Sequence, residues 1–391
     1  MASKKYKPSP ETLSKSRRTA KTWSKGSSEK HFYAKKKQWD EEEDAVPNRA
    51  VSMNPRLKNI QQKTILPTDN IFEGWVLDST GRSFIIQRLE PQENGQPVAS
   101  QHQTQQLYDC VVSRSIVTDN PASTLVAVGD RVLCRTEPVS GEIDLLPGVI
   151  IKVQERRTKL ARESAGHDGI EQVIVSNVDQ VVILMAAADP FYNRRLIDRY
   201  LIAAELGNVD PIICINKMDL MDEAFVRGDL AMYEEILGIK TLFVSAEKKR
   251  GMETIPPVLQ GKTTVFSGPS GVGKSTLVNM LIGEEAQITT EVSAKTQKGL
   301  HTTTFSKIFP LSEGGYILDT PGIREFGIWD VRKEDLAYFF HDFDEFRLEC
   351  RFTPCTHTHE PGCAVKGALE HGWIDPERYE SYLNILDTLS T

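Results

Sequence analysis

Residues 268–276 read GPSGVGKST, which fits the pattern G-x-x-x-x-G-K-[ST]. Glycines in such a loop let backbone N–H groups converge on phosphate oxygens, the lysine places a charge near the β and γ phosphates, and the hydroxyl can bind Mg²⁺. The preceding TTVFS predicts a strand, and STLVNMLIG predicts a helix whose N-terminus faces the anion. We therefore expect a phosphate-binding loop, the alternative being a glycine-rich turn without a ligand. Its predicted contact residues are Gly268, Pro269, Ser270, Gly271, Val272, Gly273, Lys274, Ser275 and Thr276, with Lys274 also catalytic and Ser275 also a Mg²⁺ ligand.

A second motif selects the base. NKMD, residues 216–219, follows the apolar run PIICI and resembles the guanine-recognition motif of GTP-binding proteins. The aspartate can accept hydrogen bonds from the guanine N1–H and amine, which adenine cannot supply, and an unpaired carboxylate rejects the wrong base. VSA, residues 244–246, resembles the loop that supports the same base, whereas a solvated loop after a strand is the alternative. The predicted base-contacting residues are Asn216, Lys217, Met218, Asp219, Ser245 and Ala246.

Two further motifs complete a GTPase set. DTPG, residues 319–322, ends an apolar segment, so that Asp319 can reach Mg²⁺ through water and the Gly322 amide can meet the γ-phosphate. Upstream, GLHTTT offers a threonine that could close on Mg²⁺, and Thr303 is the predicted one.

The residue that orients the attacking water is not obvious. Many GTPases place a glutamine after the last glycine of this motif, but here the residue is Ile323. His301, beside the switch threonines, is the predicted catalytic group, because an imidazole can orient or deprotonate water near neutral pH. A surface histidine without a chemical role is the alternative.

The order of these motifs is unusual. The base motifs precede the phosphate-binding loop, and the two switch motifs follow it. The G domain is therefore predicted to be circularly permuted, a rearrangement that is tolerated when the original termini lie close together at the surface. Both switches then lead directly into the C-terminal segment.

Composition limits the possible settings. The formal charge is −7 for 391 residues, with no apolar run near the length of a membrane span and no apolar signal-peptide core, so we expect a cytoplasmic protein without membrane contact. Residues 1–39 carry 12 lysines and arginines against Glu11 and Glu29. Residues 1–69 are predicted to be a disordered basic arm and linker that could contact RNA, or a solubilising tail.

Hydrophobic periodicity divides the rest. Residues 70–157 show short β-type runs separated by turns, which predict a barrel of the OB-fold type that could bind nucleic acid. Strands and helices alternate over 158–330, which predicts an α/β G domain with a parallel sheet covered on both faces. Residues 331–391 are predicted to be a helical module, with helices at 332–346 and 375–389.

The C-terminal module contains a dense cysteine and histidine group, CRFTPCTHTHEPGC, with Cys350, Cys355 and Cys363 flanking His357 and His359. In a cytoplasmic setting such a group indicates a metal rather than disulfides, and three thiolates with one imidazole make a closed, structural Zn²⁺ site. Spacing alone does not choose between the two histidines. Reduced cysteines without metal are the alternative.

Taken together, GPSGVGKST, NKMD, HTTT, DTPG and C-x₄-C-x-H-x₅-C resemble the RsgA (YjeQ) family of bacterial GTPases that depend on the small ribosomal subunit, over about residues 70–391. The resemblance implies a monomer that hydrolyses GTP to GDP during late 30S subunit maturation, contacts 16S rRNA through its barrel and zinc module, and leaves after hydrolysis. It also implies the zinc ligands Cys350, Cys355, His357 and Cys363, which leaves His359 out. An RNA-binding assembly module that uses GTP only structurally, and an ATP-driven enzyme, are the competing functions.

Overall fold

The computed structural model describes residues 70–89, 106–116, 123–137, 145–164, 170–282, 307–319, 328 and 331–389. The predicted basic arm, residues 1–69, lies outside the described residues. Among the described helices, none combines the length and apolar character required to cross a bilayer.

The predicted N-terminal barrel is confirmed. Its five strands close in the order β1-β2-β3-β5-β4, and alternate side chains such as Val76, Ile86 and Ile150 fill the interior. Gly74 permits the tight packing, because a Cβ there would lie 2.3 Å from the Ile86 side chain. The strands are β1 (Ile71–Ser79), β2 (Phe84–Arg88), β3 (Leu107–Val112), β4 (Arg131–Thr136) and β5 (Leu146–Val153).

A polar joint connects the barrel to an antiparallel strand pair, β6 (Lys159–Glu163) and β7 (Glu171–Ser176). The fully buried carboxylate of Asp130 accepts two hydrogen bonds from Arg156, each 2.8 Å long, and one of 2.6 Å from the Ser176 hydroxyl. Gly129 lies so close to this pair that a Cβ would be 2.0 Å from the Ser176 carbonyl oxygen. The barrel is therefore fixed to β7 by a buried charge pair and close backbone packing.

The central sheet has six strands in the order β10-β9-β8-β11-β13-β12. Every residue of β8 is buried, as expected for a strand in the middle of a sheet that is covered on both faces. Separate hydrophobic clusters pack on the two faces. The strands are β8 (Gln180–Ala186), β9 (Asp210–Asn216), β10 (Lys240–Phe243), β11 (Thr263–Ser267), β12 (Lys307–Pro310) and β13 (Tyr316–Asp319).

The sheet departs from the expected parallel arrangement at one edge, where β12 runs antiparallel to β13. The cause is the short connection after Pro310. Gly314 and Gly315 have φ values of 84° and 102°, and the Gly314 N–H donates to the Leu311 carbonyl over 3.0 Å. A tight turn of this kind returns the chain beside itself, whereas a parallel neighbour needs a long crossover.

Helices cover the sheet. Asn193 caps the first of them by accepting a 3.2 Å hydrogen bond from the Leu196 N–H, and Gly207 ends it. The helices of this region are α1 (Arg194–Leu206), α2 (Glu223–Glu235), α3 (Pro256–Leu259) and α4 (274–282).

The C-terminal module is less regular than predicted. The expected helix over 332–346 is wrong: two 3₁₀ turns, Leu336–Phe339 and His341–Phe343, lead into the short helix α5 (Asp344–Arg347). Phe340 leaves helical geometry, with φ −103° and ψ 79°, and its buried ring packs edge-on against Tyr382 at 5.1 Å. The remaining helices are α6 (Ala364–Glu370) and α7 (Pro376–Thr388), of which α7 matches the predicted helix.

A buried charge cluster attaches this module to the central sheet. Arg378 of α7 bonds to Asp198 of α1 and donates a 3.2 Å hydrogen bond to Asp342. Asp198 also accepts a 2.7 Å hydrogen bond from the Tyr233 hydroxyl. A buried guanidinium between two buried carboxylates fixes orientation strictly, because displacing it would leave charges without partners.

Candidate functional site

The loop between β11 and α4 has the backbone geometry of an anion cradle. Gly268 has φ 152°, and a Cβ there would lie 2.0 Å from the Leu184 carbonyl oxygen. Gly273 has φ 93°, and a Cβ there would lie 2.5 Å from the Asn216 amide nitrogen. Both positions require glycine, and the loop opens onto the N-terminus of α4, where orphan N–H groups attract negative charge.

Lys274 lies over this loop. Its ammonium donates to the carbonyl oxygens of Gly268 at 2.6 Å and Pro269 at 2.9 Å, so the side chain is held where phosphates would bind. Ser270, Gly271, Ser275 and Thr276 are exposed at the same place. The loop thus offers a cation, hydroxyls and a helix N-terminus to one ligand.

Asn216 joins three of the predicted motifs. It ends β9 and is 3% exposed. Its amide nitrogen donates to the Val272 carbonyl in the phosphate loop over 2.9 Å, and its amide oxygen accepts from the Ala246 N–H over 3.0 Å. Motifs that are far apart in sequence therefore meet at the carboxyl edge of the sheet, as the permuted order requires.

Asp219 is the predicted base-reading group and lies at the same edge. The Ser245 hydroxyl donates to its carboxylate, and that hydrogen bond is the main reason the pKa of Asp219 is lowered from its ordinary value. The side chain is half-buried, so an ionised carboxylate remains available to a ligand. Met218, in contrast, is buried in the core and supports the turn from below.

A loop that the sequence analysis did not single out completes this edge. Lys217 has φ 58° and donates its ammonium to the Asp189 carbonyl oxygen in the segment after β8. Pro190 packs against the phosphate loop, since its Cδ atom would lie 3.4 Å from a Cβ atom added at Gly271. No local motif marks this segment, because its role depends on backbone contacts made only in the fold.

His301, Thr303, Gly322 and the side chain of Asp319 lie outside the described residues. The backbone of Asp319 ends β13, which runs parallel to the strand that enters the phosphate loop. DTPG therefore starts at the correct edge of the sheet.

The second candidate site is the cluster of Cys350, Cys355, His357 and Cys363, whose ligand atoms all lie within 4.8 Å of one another. The Nδ1 atom of His357 is 3.4 Å from the Cys363 sulfur and 3.6 Å from the Cys350 sulfur. His359 is not part of this group, and its Nδ1 pairs with the Thr358 hydroxyl at 2.9 Å. The structure thus separates the two histidines that spacing left open.

The donor set fits a Zn²⁺ ion, because three sulfurs and one imidazole nitrogen converge on one point. Burial raises the pKa of the Cys355 thiol to about 12, so a cation is needed to hold the group as thiolates. The ligand loop is prearranged: Glu360 accepts from the Thr356 N–H at 2.7 Å, and the Tyr379 hydroxyl donates to the His357 carbonyl at 2.6 Å. Sequence reasoning missed Glu360, which no spacing rule identifies.

Comparisons with known proteins agree with this geometry. A family model described as RsgA GTPase matches residues 153–329. The small ribosomal subunit biogenesis GTPase RsgA of Chlorobaculum parvum is 47% identical over 284 residues, which are 72% of this chain and 90% of that relative. The protein of the same name from Chlorobaculum tepidum is 47% identical over 285 residues, 72% of this chain and 91% of its own length.

Solved structures show the same architecture. The crystal structure of YjeQ from Thermotoga maritima has a TM-score of 0.58 and 28% identity, covering 81% of this chain and 98% of that one. The crystal structure of YloQ, described as a circularly permuted GTPase, has a TM-score of 0.55 and 28% identity, covering 82% and 95%.

Proposed function

This chain belongs to the RsgA GTPase family, and we propose that it binds the small ribosomal subunit and hydrolyses GTP to GDP and phosphate during late maturation of that subunit, leaving after hydrolysis. The observation that carries the nucleotide part is the position of Asn216, bonded to both the phosphate loop and the base loop. The proposed role in maturation of the small ribosomal subunit is supported by the names of the relatives.

The described residues suggest how GTP is held. Asp219 accepts from the guanine N1–H and amine, while the Ser245 hydroxyl keeps its carboxylate in place. Lys274 exchanges the carbonyl oxygens of Gly268 and Pro269 for β and γ phosphate oxygens. Ser275, at the exposed start of α4, and Asp319 would hold the Mg²⁺ that accompanies the nucleotide, which when bound would supply positive charge beside the phosphates.

The water-positioning step is assigned to His301, and Thr303 is assigned to the Mg²⁺ side of the phosphate. The support is chemical: Ile323 occupies the position where many GTPases carry glutamine, and an imidazole beside the switch threonines can perform the same task. The Gly322 amide would then meet the γ-phosphate.

The remaining assignments rest on the second site, on the composition of the chain and on the family to which it belongs. We propose one structural Zn²⁺ ion held by Cys350, Cys355, His357 and Cys363, because that donor set converges and the loop around it is already ordered by hydrogen bonds. Contact with 16S rRNA through the barrel and the zinc module, a monomeric state and a cytoplasmic location complete the proposal.

The deciding experiment is GTP turnover with and without purified small ribosomal subunits, repeated over a salt series. We expect subunits to raise phosphate release, and the increase to fall steeply with salt because phosphate contacts release counterions. Excess ATP should not reduce GTP hydrolysis, because it should not compete with GTP for the site. Subunit binding without any rise in turnover would instead favour an assembly module that uses GTP only as a structural ligand, which the isoleucine at position 323 makes worth testing.

A further inference from the structure

The β12–β13 hairpin connects the barrel with both predicted switch segments. Pro310 pairs with Tyr316 at its turn, and Lys307 pairs with Asp319 at its open end. HTTT lies just before β12, and DTPG begins at the last residue of β13. Both switch segments therefore attach to the open end of the same hairpin, whereas β1 of the barrel packs beside β12.

An aromatic contact joins the barrel to this hairpin. The ring of Trp75 lies edge-on to the ring of Tyr316, with centroids 4.8 Å apart and an angle of 81° between the planes. Trp75 is 4% exposed, donates its indole N–H to the Gly129 carbonyl over 3.2 Å, and carries the Arg131 guanidinium 4.9 Å above its ring. The indole is thus held firmly by the barrel and presents its ring to Tyr316.

Tyr316 is equally fixed on its other side. Its N–H donates to the Lys262 carbonyl over 2.9 Å, and it pairs with Thr263 at the start of β11. Since β11 leads into the phosphate loop and β13 into DTPG, the backbone of Tyr316 belongs to the strand pair that sets the spacing between these two motifs.

The barrel has a second attachment of a different kind. Arg156 and Ser176 hold Asp130, and Asn177 donates to the Gly129 carbonyl over 3.0 Å. The Gly129 carbonyl therefore accepts from both Asn177 and Trp75. The barrel is therefore attached to the central domain at two places, the polar joint with β7 and the contact of Trp75 with Tyr316, and Gly129 belongs to the first and supports the second.

We propose that Tyr316 is a positioning residue for GTP hydrolysis. Through the β12–β13 hairpin, it transmits the effect of subunit binding at the barrel to the switch segments. This rests on the proposed function, in which the small ribosomal subunit is the stimulus. The same hairpin also connects the nucleotide site with the barrel when nothing is hydrolysed, and coupling between two binding equilibria is reciprocal. We therefore expect the bound nucleotide to change the affinity of the protein for the subunit, and Tyr316 to contribute to that difference.

The test compares Tyr316→Leu, which removes the ring but keeps an apolar side chain, with Tyr316→Phe, which keeps the ring. Tyr338→Leu is the matched control, because Tyr338 is also a half-buried tyrosine but lies in the C-terminal module, where its ring is in contact with the Arg347 guanidinium. Each variant is assayed for kcat and KM with GTP, with and without purified subunits, and for subunit affinity with GDP and with a non-hydrolysable GTP analogue.

For Tyr316→Leu we expect the ratio of stimulated to basal kcat to fall about tenfold, while KM for GTP stays within about twofold of wild type. The subunit affinities measured with the GTP analogue and with GDP should become nearly equal, so that their ratio approaches one. Tyr316→Phe and Tyr338→Leu should behave as wild type. If Tyr316→Leu fails to fold, Trp75→Phe, which shortens the ring that meets Tyr316, is judged by the same criteria.

The outcomes separate the two proposals. A wild-type protein that subunits do not stimulate removes the proposed function and this inference with it. If subunits stimulate wild type, and Tyr316→Leu shows the same stimulation and the same affinity ratio as wild type, only the role of Tyr316 is removed.

Discussion

The amide nitrogen of Asn216 lies 2.9 Å from the carbonyl oxygen of Val272, a residue 56 positions later in the chain. The same side chain accepts from the Ala246 N–H at 3.0 Å. One buried amide thus uses both its donor and its acceptor to join the base-reading edge to the phosphate loop. Circular permutation reverses the chain order of these parts and leaves their contact in place.

Asn216→Asp should weaken nucleotide binding. A carboxylate keeps the acceptor for Ala246 but puts an oxygen against the Val272 carbonyl, so the unfolding free energy should fall by about 1–3 kcal/mol and GTP affinity by at least about tenfold. Equilibrium titration with a fluorescent GTP analogue measures the affinity. Asn208→Asp is the control, since Asn208 is exposed and its φ of 55° suits either residue. Equal affinities for the two variants would show that the bridge is unimportant.

Asp219→Asn should change base preference. An amide presents a donor where guanine also has donors, so GTP affinity should fall by at least about a hundredfold, whereas xanthosine triphosphate, with a carbonyl oxygen in place of the amine, should bind better than to wild type. Competition against the fluorescent analogue measures both. Asp210→Asn, at the other end of β9, is the control and should bind GTP normally. An unchanged preference in Asp219→Asn would place the base elsewhere.

Removing a ligand from the Cys350–Cys363 cluster should release zinc. Cys355→Ser replaces a soft thiolate with a hydroxyl, and we expect less than one zinc per chain by elemental analysis and a lower melting temperature, since metal binding contributes to folding. Cys134→Ala, in the barrel, should keep a full complement of zinc. Zinc-free wild-type protein with an unchanged melting curve after chelation would argue against a structural metal.

His341 should make stability depend on pH in the alkaline range. Burial opposes its protonation, but hydrogen bonds with Asp344 at 3.2 Å and Glu205 at 3.0 Å outweigh burial and raise the pKa of His341 to about 10. An unfolded histidine has a pKa of about 6.5. The folded state therefore binds this proton more tightly, and the resulting stabilisation is complete below about pH 6.5 and is lost as the pH rises towards 10.

His341→Gln should remove that dependence. We expect wild type to lose more thermal stability than the variant between pH 7 and pH 10, measured by melting in matched buffers. His371→Gln changes an exposed histidine of the same module and should follow wild type. Parallel pH profiles for wild type and His341→Gln would show that the histidine does not clamp the module to α1.

Local patterns predicted the parts of the fold that depend on local chemistry. The short β-type runs of the barrel, the alternating strands and helices of the G domain and the helix at 375–389 could be predicted because each pattern acts on its own segment. The motifs of the candidate site could also be found, since phosphate and guanine chemistry restrict the residue types at fixed spacing.

Long-range polar contacts could not be predicted. Asp130 and Arg156, or Asp198 and Arg378, look like ordinary surface charges in the sequence, and only the packing of distant elements buries them together. The broken helix at Phe340 has the same origin, because the position of Tyr382 decides where that ring must go. The antiparallel β12 follows from its glycine turn, which the alternation of strands and helices obscured.

The position of β11 between β8 and β13 has a consequence for synthesis. Translation releases β8, β9 and β10 well before β11, so the nascent chain holds a half-sheet whose β8 edge still awaits its neighbour. The base-recognising half of the molecule is made first, and the strand that inserts beside it brings the phosphate cradle. A chain that stops short of β11 therefore leaves one edge of β8 open, and every residue of that strand after Gln180 is apolar, so we expect aggregation above all at this stage.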